Sequence, residues 1–181
     1  MSEPESPELI DSRDIDPEFI NQIIEAGADR IRSCIQCGTC TAVCPSGRRT
    51  AFRTRQLIRK AILGLKDEVV SNSDLWLCTT CYTCLERCPR EIKITDAILT
   101  MRNIAVREGY MLPPHKNISK KLIKTGHAVP LDKANQVKRK KLGLEEIPPT
   151  VHAHEAALKD VVNIIESTGF RDLIESKGKE G

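Results

Sequence analysis

Aromatic residues are scarce in this chain, and it lacks the features of several common protein classes. Phe, Trp and Tyr make up 3% of the 181 residues, so we predict an aliphatic core and few side chains on which nucleic-acid bases could stack. No apolar run approaches the length that crosses a bilayer, so we expect no direct membrane span. The sequence has no G-x-G-x-x-G run for a nucleotide or flavin, and no nucleophile or acid–base constellation. We therefore predict no catalytic residues.

All eight cysteines fall in two short runs, which leaves no cysteine for thiol chemistry. Each run reads C-x2-C-x2-C-x3-C-P, the first ending at Pro45 and the second at Pro89. This spacing holds cubane clusters in two-cluster ferredoxins, where the last cysteine of each run ligates the cluster of the other run. We therefore predict two 4Fe-4S clusters with interlaced ligands. The predicted ligands are Cys34, Cys37, Cys40 and Cys88 for cluster 1, and Cys78, Cys81, Cys84 and Cys44 for cluster 2.

Three other interpretations of the cysteines fit the pattern less well. Structural zinc prefers two C-x2-C pairs separated by a longer spacer. A disulfide framework needs an oxidising compartment, and the sequence shows no secretory signal. A thioredoxin-like C-x-x-C pair belongs in a βαβ pattern that is not found here. Histidines occur only in the C-terminal part of the chain, where we interpret His152 and His154 as a solvated pair and not as metal ligands.

The formal net charge of +3 counts the cysteines as neutral. Each oxidised cluster with its four thiolates contributes about −2, so the loaded chain carries about −1, which weakens a nucleic-acid interpretation. A basic run at Arg48 and Arg49 continues with Arg53 and Arg55. Such a run is most often a solvated helix face, and the alternative is that it guides an acidic electron-transfer partner to cluster 1.

Apolar residues recur at helical spacing in three stretches around the cysteine runs. We predict a first helix that begins after Asp16 and that Gly27 bends or ends. A spacer helix should end at Gly64, and a third helix, capped near Thr95, should end at Gly109. The apolar positions are Ile20, Ile23, Ile24 and Ile31 in the first, Phe52, Leu57, Ile58, Ala61, Ile62 and Leu65 in the second, and Ile94, Ile98, Met101 and Ala105 in the third. Strand signals are almost absent, so the predicted fold class is mainly α.

We predict three segments along the chain. Residues 1–15 form a mobile leader, residues 16–110 a two-cluster domain with its N-terminal helix, and residues 111–181 a C-terminal docking extension. In the extension, helical spacing occurs around Ile118 and Leu158, and residues 126–150 between them are charged and proline-punctuated, with a basic patch at residues 138–141. The extension has little apolar surface, so we expect it to dock on the cluster domain or on a partner subunit.

From Arg32 to Gly109 the chain resembles the α-helical ferredoxins, in which helices separate the two cysteine runs. Over most of its length it is similar to the C subunits of the soluble heterodisulfide reductases of methanogenic archaea. The similarity rests on C-I-Q-C-G-T-C-T-A-V-C-P-S-G-R, C-T-T-C-Y-T-C-L-E-R-C-P-R and the run Met101-Arg-Asn-Ile-Ala-Val-Arg, together with a helical spacer and a short C-terminal tail.

This resemblance implies a non-catalytic electron-transfer subunit of a cytoplasmic oxidoreductase. In such a complex, a flavin-bearing, electron-bifurcating A subunit passes single electrons through the two clusters to the B subunit. The noncubane clusters of the B subunit then reduce the heterodisulfide of coenzyme M and coenzyme B in methanogenesis. The resemblance also implies association with a hydrogenase or a formate dehydrogenase. The B subunit uses CCG motifs, and this chain has no adjacent cysteine pair, as expected of a relay.

Two alternative functions stay open on the sequence alone. One is an electron relay of a glycerol-phosphate, lactate or succinate oxidoreductase. Succinate-type subunits usually add a plant-type ferredoxin domain, for which the 33 residues before Cys34 leave no room, and glycerol-phosphate-type chains tend to be longer and to carry CCG motifs. The other alternative is a zinc-stapled interaction module, which would be colourless after anaerobic purification.

Overall fold

The structure is a computed structural model, and it describes residues 10–175. No strand occurs among these residues, and the predicted mainly α fold class is confirmed. Of the predicted leader, residues 1–9 lie outside the described residues. The helices are α1 (Pro17–Glu25), α2 (Thr39–Ala42), α3 (Thr54–Ile62), α4 (Lys66–Val70), α5 (Thr83–Glu86), α6 (Ile94–Arg107), α7 (Pro113–Thr125), α8 (Lys133–Lys141), α9 (Glu155–Ser167) and α10 (Phe170–Glu175).

Helix α6 is the centre of the first of two compact units, which ends at Tyr110. It packs against α1, α4 and α5, so it contacts elements on both sides of the cysteine runs. Ala97, Ile98, Met101 and Ala105 follow helical spacing and are fully buried. Burying each large aliphatic side chain of this kind contributes about 1.5–3 kcal/mol. The apolar stripe of α6 therefore holds together the scaffold on which both cysteine runs are mounted.

Helix α1 begins where the sequence predicts but ends earlier than its apolar pattern indicates. The carboxylate of Asp16 accepts a hydrogen bond from the Glu18 N–H at 2.9 Å and caps the helix. The helix ends at Glu25, and Ile31 lies beyond it in a 3-10 turn, Ile31–Ser33, where it is still fully buried. The helix thus ends just before Gly27, one of the two predicted outcomes, and Ile31 reaches the core from the turn that follows.

Gly64 ends the spacer helix, as predicted, and it also contacts the residue that precedes α1. It has a φ of +76°, and a Cβ at this position would lie 2.6 Å from the carbonyl oxygen of Asp16. The Asp16 N–H donates to the Gly64 carbonyl at 2.8 Å, which joins the start of α1 to the end of the spacer. The spacer helix α3 is shorter than predicted: Phe52 and Leu65 are buried but lie outside it, and the short helix α4 after it was not predicted.

The second compact unit begins at Met111, and its main elements are helices α7, α8, α9 and α10. Helices α7 and α9 correspond to the two predicted helices, and α7 packs against α9 and α10 around buried Ile165 and Ile174. Helix α8 lies in the charged, proline-punctuated stretch, where no helix was predicted, and it contains the basic patch. Asp132 caps α8 by accepting the Asn135 N–H at 2.8 Å. None of the helices within residues 10–175 is both long and apolar enough to cross a membrane.

Candidate iron-sulfur sites

The two cysteine runs follow the same backbone path. Gln36 and Thr80, which precede the second cysteine of each run, have φ values of 56° and 52°. Gly38 and Tyr82, which follow that cysteine, have φ values of 85° and 61°, and each stands at the start of a four-residue helix, α2 or α5. A positive φ at a bulky residue such as Tyr82 persists only where the surroundings impose it, and such positions cluster at functional sites. The repeated path indicates that both runs are shaped for the same task.

A cavity lies inside the first cysteine run. Its empty volume, counting the part open to solvent, is about 370 Å³. Ile58 and Ile92 form apolar parts of its wall, and Arg55 and Arg90 also line it. The cavity is lined by the four cysteines predicted for cluster 1, namely Cys34, Cys37, Cys40 and Cys88. The structure thus places the last cysteine of the second run beside the first run.

A hydrogen bond also joins the end of the first cysteine run to the start of the second. Ser46, two residues after Cys44, donates its hydroxyl to the carbonyl of Leu77 at 2.7 Å. Leu77 directly precedes Cys78, so this bond joins the end of the first run to the start of the second. Cys44 is buried, and its sulfur accepts a hydrogen bond from the Gly47 N–H at 3.3 Å.

One cysteine of each run lies at the surface and carries a threonine neighbour. The Sγ of exposed Cys37 lies 3.4 Å from the Oγ1 of Thr39, and the Sγ of exposed Cys81 lies 3.5 Å from the Oγ1 of Thr83. These hydrogen bonds, followed by the backbone N–H groups of the same threonines, lower the pKa of both thiols. Because iron binds the thiolate, each pair favours the ligating form of its cysteine.

The third cysteine of each run is more enclosed and behaves in the opposite way. Burial, and then the charges of Cys34 and Cys84, raise the pKa of Cys40 to about 11. Burial also raises the pKa of Cys84, whose Sγ lies 3.5 Å from the hydroxyl of buried Thr95. Iron binding must therefore displace the protons of these thiols. The influence of Cys84 on Cys40 also shows that the two runs lie close together, as the packing of α2 against α5 requires.

Two hydrogen-bond donors to sulfur were not predicted from the sequence. The side-chain amide of Gln36 donates to the Sγ of Cys34 at 3.3 Å, and the Gly47 N–H donates to Cys44. A Cβ on Gly47 would lie 2.8 Å from the carbonyl oxygen of Phe52, so the close approach requires glycine. The only sequence signal is a glycine three residues after the last cysteine of the run. Donors of this kind stabilise the negative charge of a cluster and influence its reduction potential.

The basic run, for which partner guidance was the alternative interpretation, has divided roles. Arg53 donates from one Nη1 to the carbonyls of Gly47, Thr50 and Phe52 at 2.8–3.0 Å, so it holds the loop after the first run. Arg55 lines the cysteine cavity and is exposed. Partner guidance is therefore best tested by substituting Arg55, because removal of its charge leaves the loop contacts of Arg53 in place.

The donor set fits two cubane clusters, because eight thiols in two matching runs supply four sulfur ligands for each. Within residues 10–175, no three or more His, Cys, Asp or Glu side chains are arranged to hold a single metal ion. A cubane cluster does not require cysteines that meet at one point, because it has four iron atoms at separate corners and each iron takes one cysteine sulfur.

Comparisons with known proteins agree with this donor set. Residues 30–92 match the family described as a 4Fe-4S dicluster domain. The chain is 52% identical to the C subunit of the H2:CoB-CoM heterodisulfide,ferredoxin reductase of Methanothermobacter marburgensis, across 92% of this chain and 90% of that protein. It is 45% identical to the iron-sulfur C subunit of the CoB–CoM heterodisulfide reductase of Methanopyrus kandleri, across 96% and 94% of the two chains.

A third relative matches this chain over nearly its whole length. Identity is 48% with the C subunit of the ferredoxin/F420H2-dependent CoB-CoM heterodisulfide reductase of Methanosarcina acetivorans, across 88% of this chain and 99% of that protein. The dicluster domain and the eight cysteines together support two 4Fe-4S clusters, so the predicted cofactors are confirmed and the zinc and disulfide interpretations are set aside. The assignment of individual cysteines to each cluster stays a prediction.

Proposed function

Because the chain belongs to the family of heterodisulfide reductase C subunits and is an iron-sulfur electron-transfer subunit, we propose that it passes single electrons between two other subunits. The donor is the flavin-bearing, electron-bifurcating A subunit. The acceptor is the catalytic B subunit, which reduces the heterodisulfide of coenzyme M and coenzyme B. The chain itself is non-catalytic in this proposal. The cytoplasmic location and the link to a hydrogenase or formate dehydrogenase, both implied by the family resemblance, belong to the same proposal.

The observation that carries the proposal is the mutual approach of the two cysteine runs. Cys88 lines the cavity of the first run, and Ser46 after the first run bonds to Leu77 before the second. Two clusters at these sites lie side by side, which favours transfer of an electron from one to the other. We propose that the ligands are those predicted from the sequence, with Cys88 completing cluster 1 and Cys44 completing cluster 2.

Each site also reaches the surface on its own. Exposed Cys37 has Ile35 beside it, with 62% of that side chain exposed, and exposed Cys81 has Tyr82 beside it, 44% exposed. A relay between two partners needs one accessible point for each cluster, and these two positions meet that need. An exposed apolar or aromatic side chain next to an exposed ligand is also what a docking partner can cover.

Other oxidoreductases provide the second candidate function. Relays of the glycerol-phosphate, lactate or succinate type can use the same fold. The relatives named above are all C subunits of heterodisulfide reductases, and they match most of this chain, including the part after the dicluster domain. We therefore favour the heterodisulfide reductase assignment.

The test is an anaerobic reconstitution of the A and B subunits with and without this chain. We expect electrons from the reduced A subunit to reach the heterodisulfide only when the chain carries both clusters. A Cys34→Ser variant should abolish the transfer, and the matched surface variant Glu146→Gln should preserve it. Equal rates of heterodisulfide reduction in the presence and absence of the chain would contradict the proposal. Tight association with a different oxidoreductase, and none with these two subunits, would contradict it too.

A further inference from the structure

Arg102 lies on α6 and directs its guanidinium at the segment that leads into the second cysteine run. Its Nε donates to the carbonyl of Leu75 at 3.1 Å, and its Nη2 donates to the carbonyl of Cys78 at 2.7 Å. The central carbon of the guanidinium is 5.5 Å from the ring centroid of Trp76. Three contacts thus hold a positive charge in a fixed place beside Cys78, the first predicted ligand of cluster 2.

This charge is half-buried and has no carboxylate beside it among the described residues. Burial lowers the pKa of Arg102, and the only charged group that acts against this is Cys78. The guanidinium nevertheless stays protonated, as arginine side chains do in proteins. Burying a cation without an anion costs free energy, which the two carbonyls and the indole ring offset only in part. The negative charge of a loaded cluster is the counter-charge that this arrangement lacks.

The arginines around the first run are placed differently. Arg30 forms an ion pair with Glu91 at 2.5 Å, which neutralises its charge. Arg55 and Arg90, which line the cavity of the first run, are exposed, so water and salt screen them. A charge acts more strongly through partly buried surroundings than through water, because the effective dielectric constant is lower. Arg102 is therefore well placed to act on one cluster more than on the other.

We propose that the charge of Arg102 raises the reduction potential of the cluster held by the second run and so favours residence of the electron on that cluster. Reduction adds one negative charge to the cluster, and a nearby fixed positive charge stabilises the reduced form more than the oxidised form. The inference rests on the part of the proposed function that makes Cys78 a cluster ligand, and it does not depend on the identity of the partner subunits. Arg102 acts through the field at the cluster, so it is a positioning residue and not a catalytic one.

The test is a redox titration of the full chain with both clusters loaded, followed by electron paramagnetic resonance. Arg102→Gln removes the charge and keeps a donor, Arg102→Lys keeps the charge with fewer donors, and Arg59→Gln removes an exposed charge on α3 as the matched control. We expect Arg102→Gln to reduce electron occupancy of cluster 2 relative to cluster 1 about tenfold, a shift of about 59 mV for a one-electron couple. Arg102→Lys and Arg59→Gln should stay near the wild-type potentials.

Two results would overturn the inference. Unchanged potentials in loaded Arg102→Gln would mean that the side chain only supports the loop. An equal shift in Arg102→Gln and Arg102→Lys would mean that the hydrogen bonds, and not the charge, determine the potential. If Arg102→Gln loses its cluster, the test passes to Arg102→Lys, whose retained charge should keep the potential of cluster 2 near the wild-type value despite the altered hydrogen bonds. A shift in Arg102→Lys as large as the one expected of Arg102→Gln would overturn the inference. A failure of electron transfer between the A and B subunits would leave these potentials as they are, so the two proposals fail separately.

Discussion

Crossed ligation makes a specific prediction for Cys88→Ser. Cys88 is 54 residues away from Cys34 along the chain, yet both line the same cavity. A serine hydroxyl keeps its proton at neutral pH and is a much weaker iron ligand than a thiolate, so cluster 1 should be lost although its other three ligands remain. Each 4Fe-4S cluster holds four iron atoms, so the iron content should fall from about eight to about four per chain.

The fold should survive this loss. Cluster 2 keeps all of its predicted ligands, and of the buried stripe of α6 only Ile94 lines the cavity. Without iron, the thiol of Cys40 stays protonated at neutral pH because its pKa is raised to about 11. The emptied site therefore carries no thiolate charge at Cys40, which limits the effect on stability.

Double variants separate crossed from uncrossed ligation by iron and sulfide analysis after anaerobic purification. If Cys88 belongs to cluster 1, Cys88→Ser combined with Cys34→Ser should lose no more iron than either single variant. Cys88→Ser combined with Cys78→Ser should lose all of it. Cys44→Ser is the matched control, since it should lose the other cluster and show the reverse pattern of combinations. A Cys88→Ser, Cys78→Ser double variant that retains half of its iron would refute the crossed arrangement.

Three further predictions follow from individual contacts. Gly47→Ala should lower stability by about 1–3 kcal/mol, measured by chemical denaturation, because the new methyl group would lie 2.8 Å from the carbonyl oxygen of Phe52; wild-type stability would contradict this. Arg55→Glu should slow electron exchange with an acidic partner at low salt and have little effect at high salt, and equal rates at low salt would dismiss partner guidance. Lys66 pairs with Glu108 at 2.6 Å, and this hydrogen bond raises the pKa of Lys66, so its stabilisation is fully present below pH 10.5 and is lost as the pH rises through the higher folded-state pKa. Lys66→Met should therefore cost about 0.5 kcal/mol at neutral pH, since the pair is partly exposed, and the deficit should shrink only above about pH 10.5; a deficit that is constant to higher pH would be inconsistent with this.

Most local features that neighbouring residues decide were predictable, but the predicted cap near Thr95 was wrong. Helix α6 begins at Ile94 after Lys93, no side chain caps it, and Thr95 is buried inside the helix. Asp16 caps α1, and Gly64 and Gly109 mark the ends of α3 and α6, because capping and helix termination depend on a few adjacent positions. Helix α8 was not predicted, because its own residues carry no comparable signal. It is polar and strongly basic along its length, so it has no apolar periodicity from which a helix can be predicted.

The sequence by itself determined the chemistry of this protein: eight cysteines at cubane spacing and helical apolar patterns on either side of them. Only the tertiary structure decided which distant groups meet. It places the guanidinium of Arg102 against the carbonyl of Cys78 and the hydroxyl of Ser46 against the carbonyl of Leu77, two contacts that the sequence does not predict. The physical reason is the separation along the sequence over which each kind of interaction acts. Spacing and capping act over a few residues, whereas these contacts depend on how α6 packs across the first unit, and that packing is set by the whole buried core.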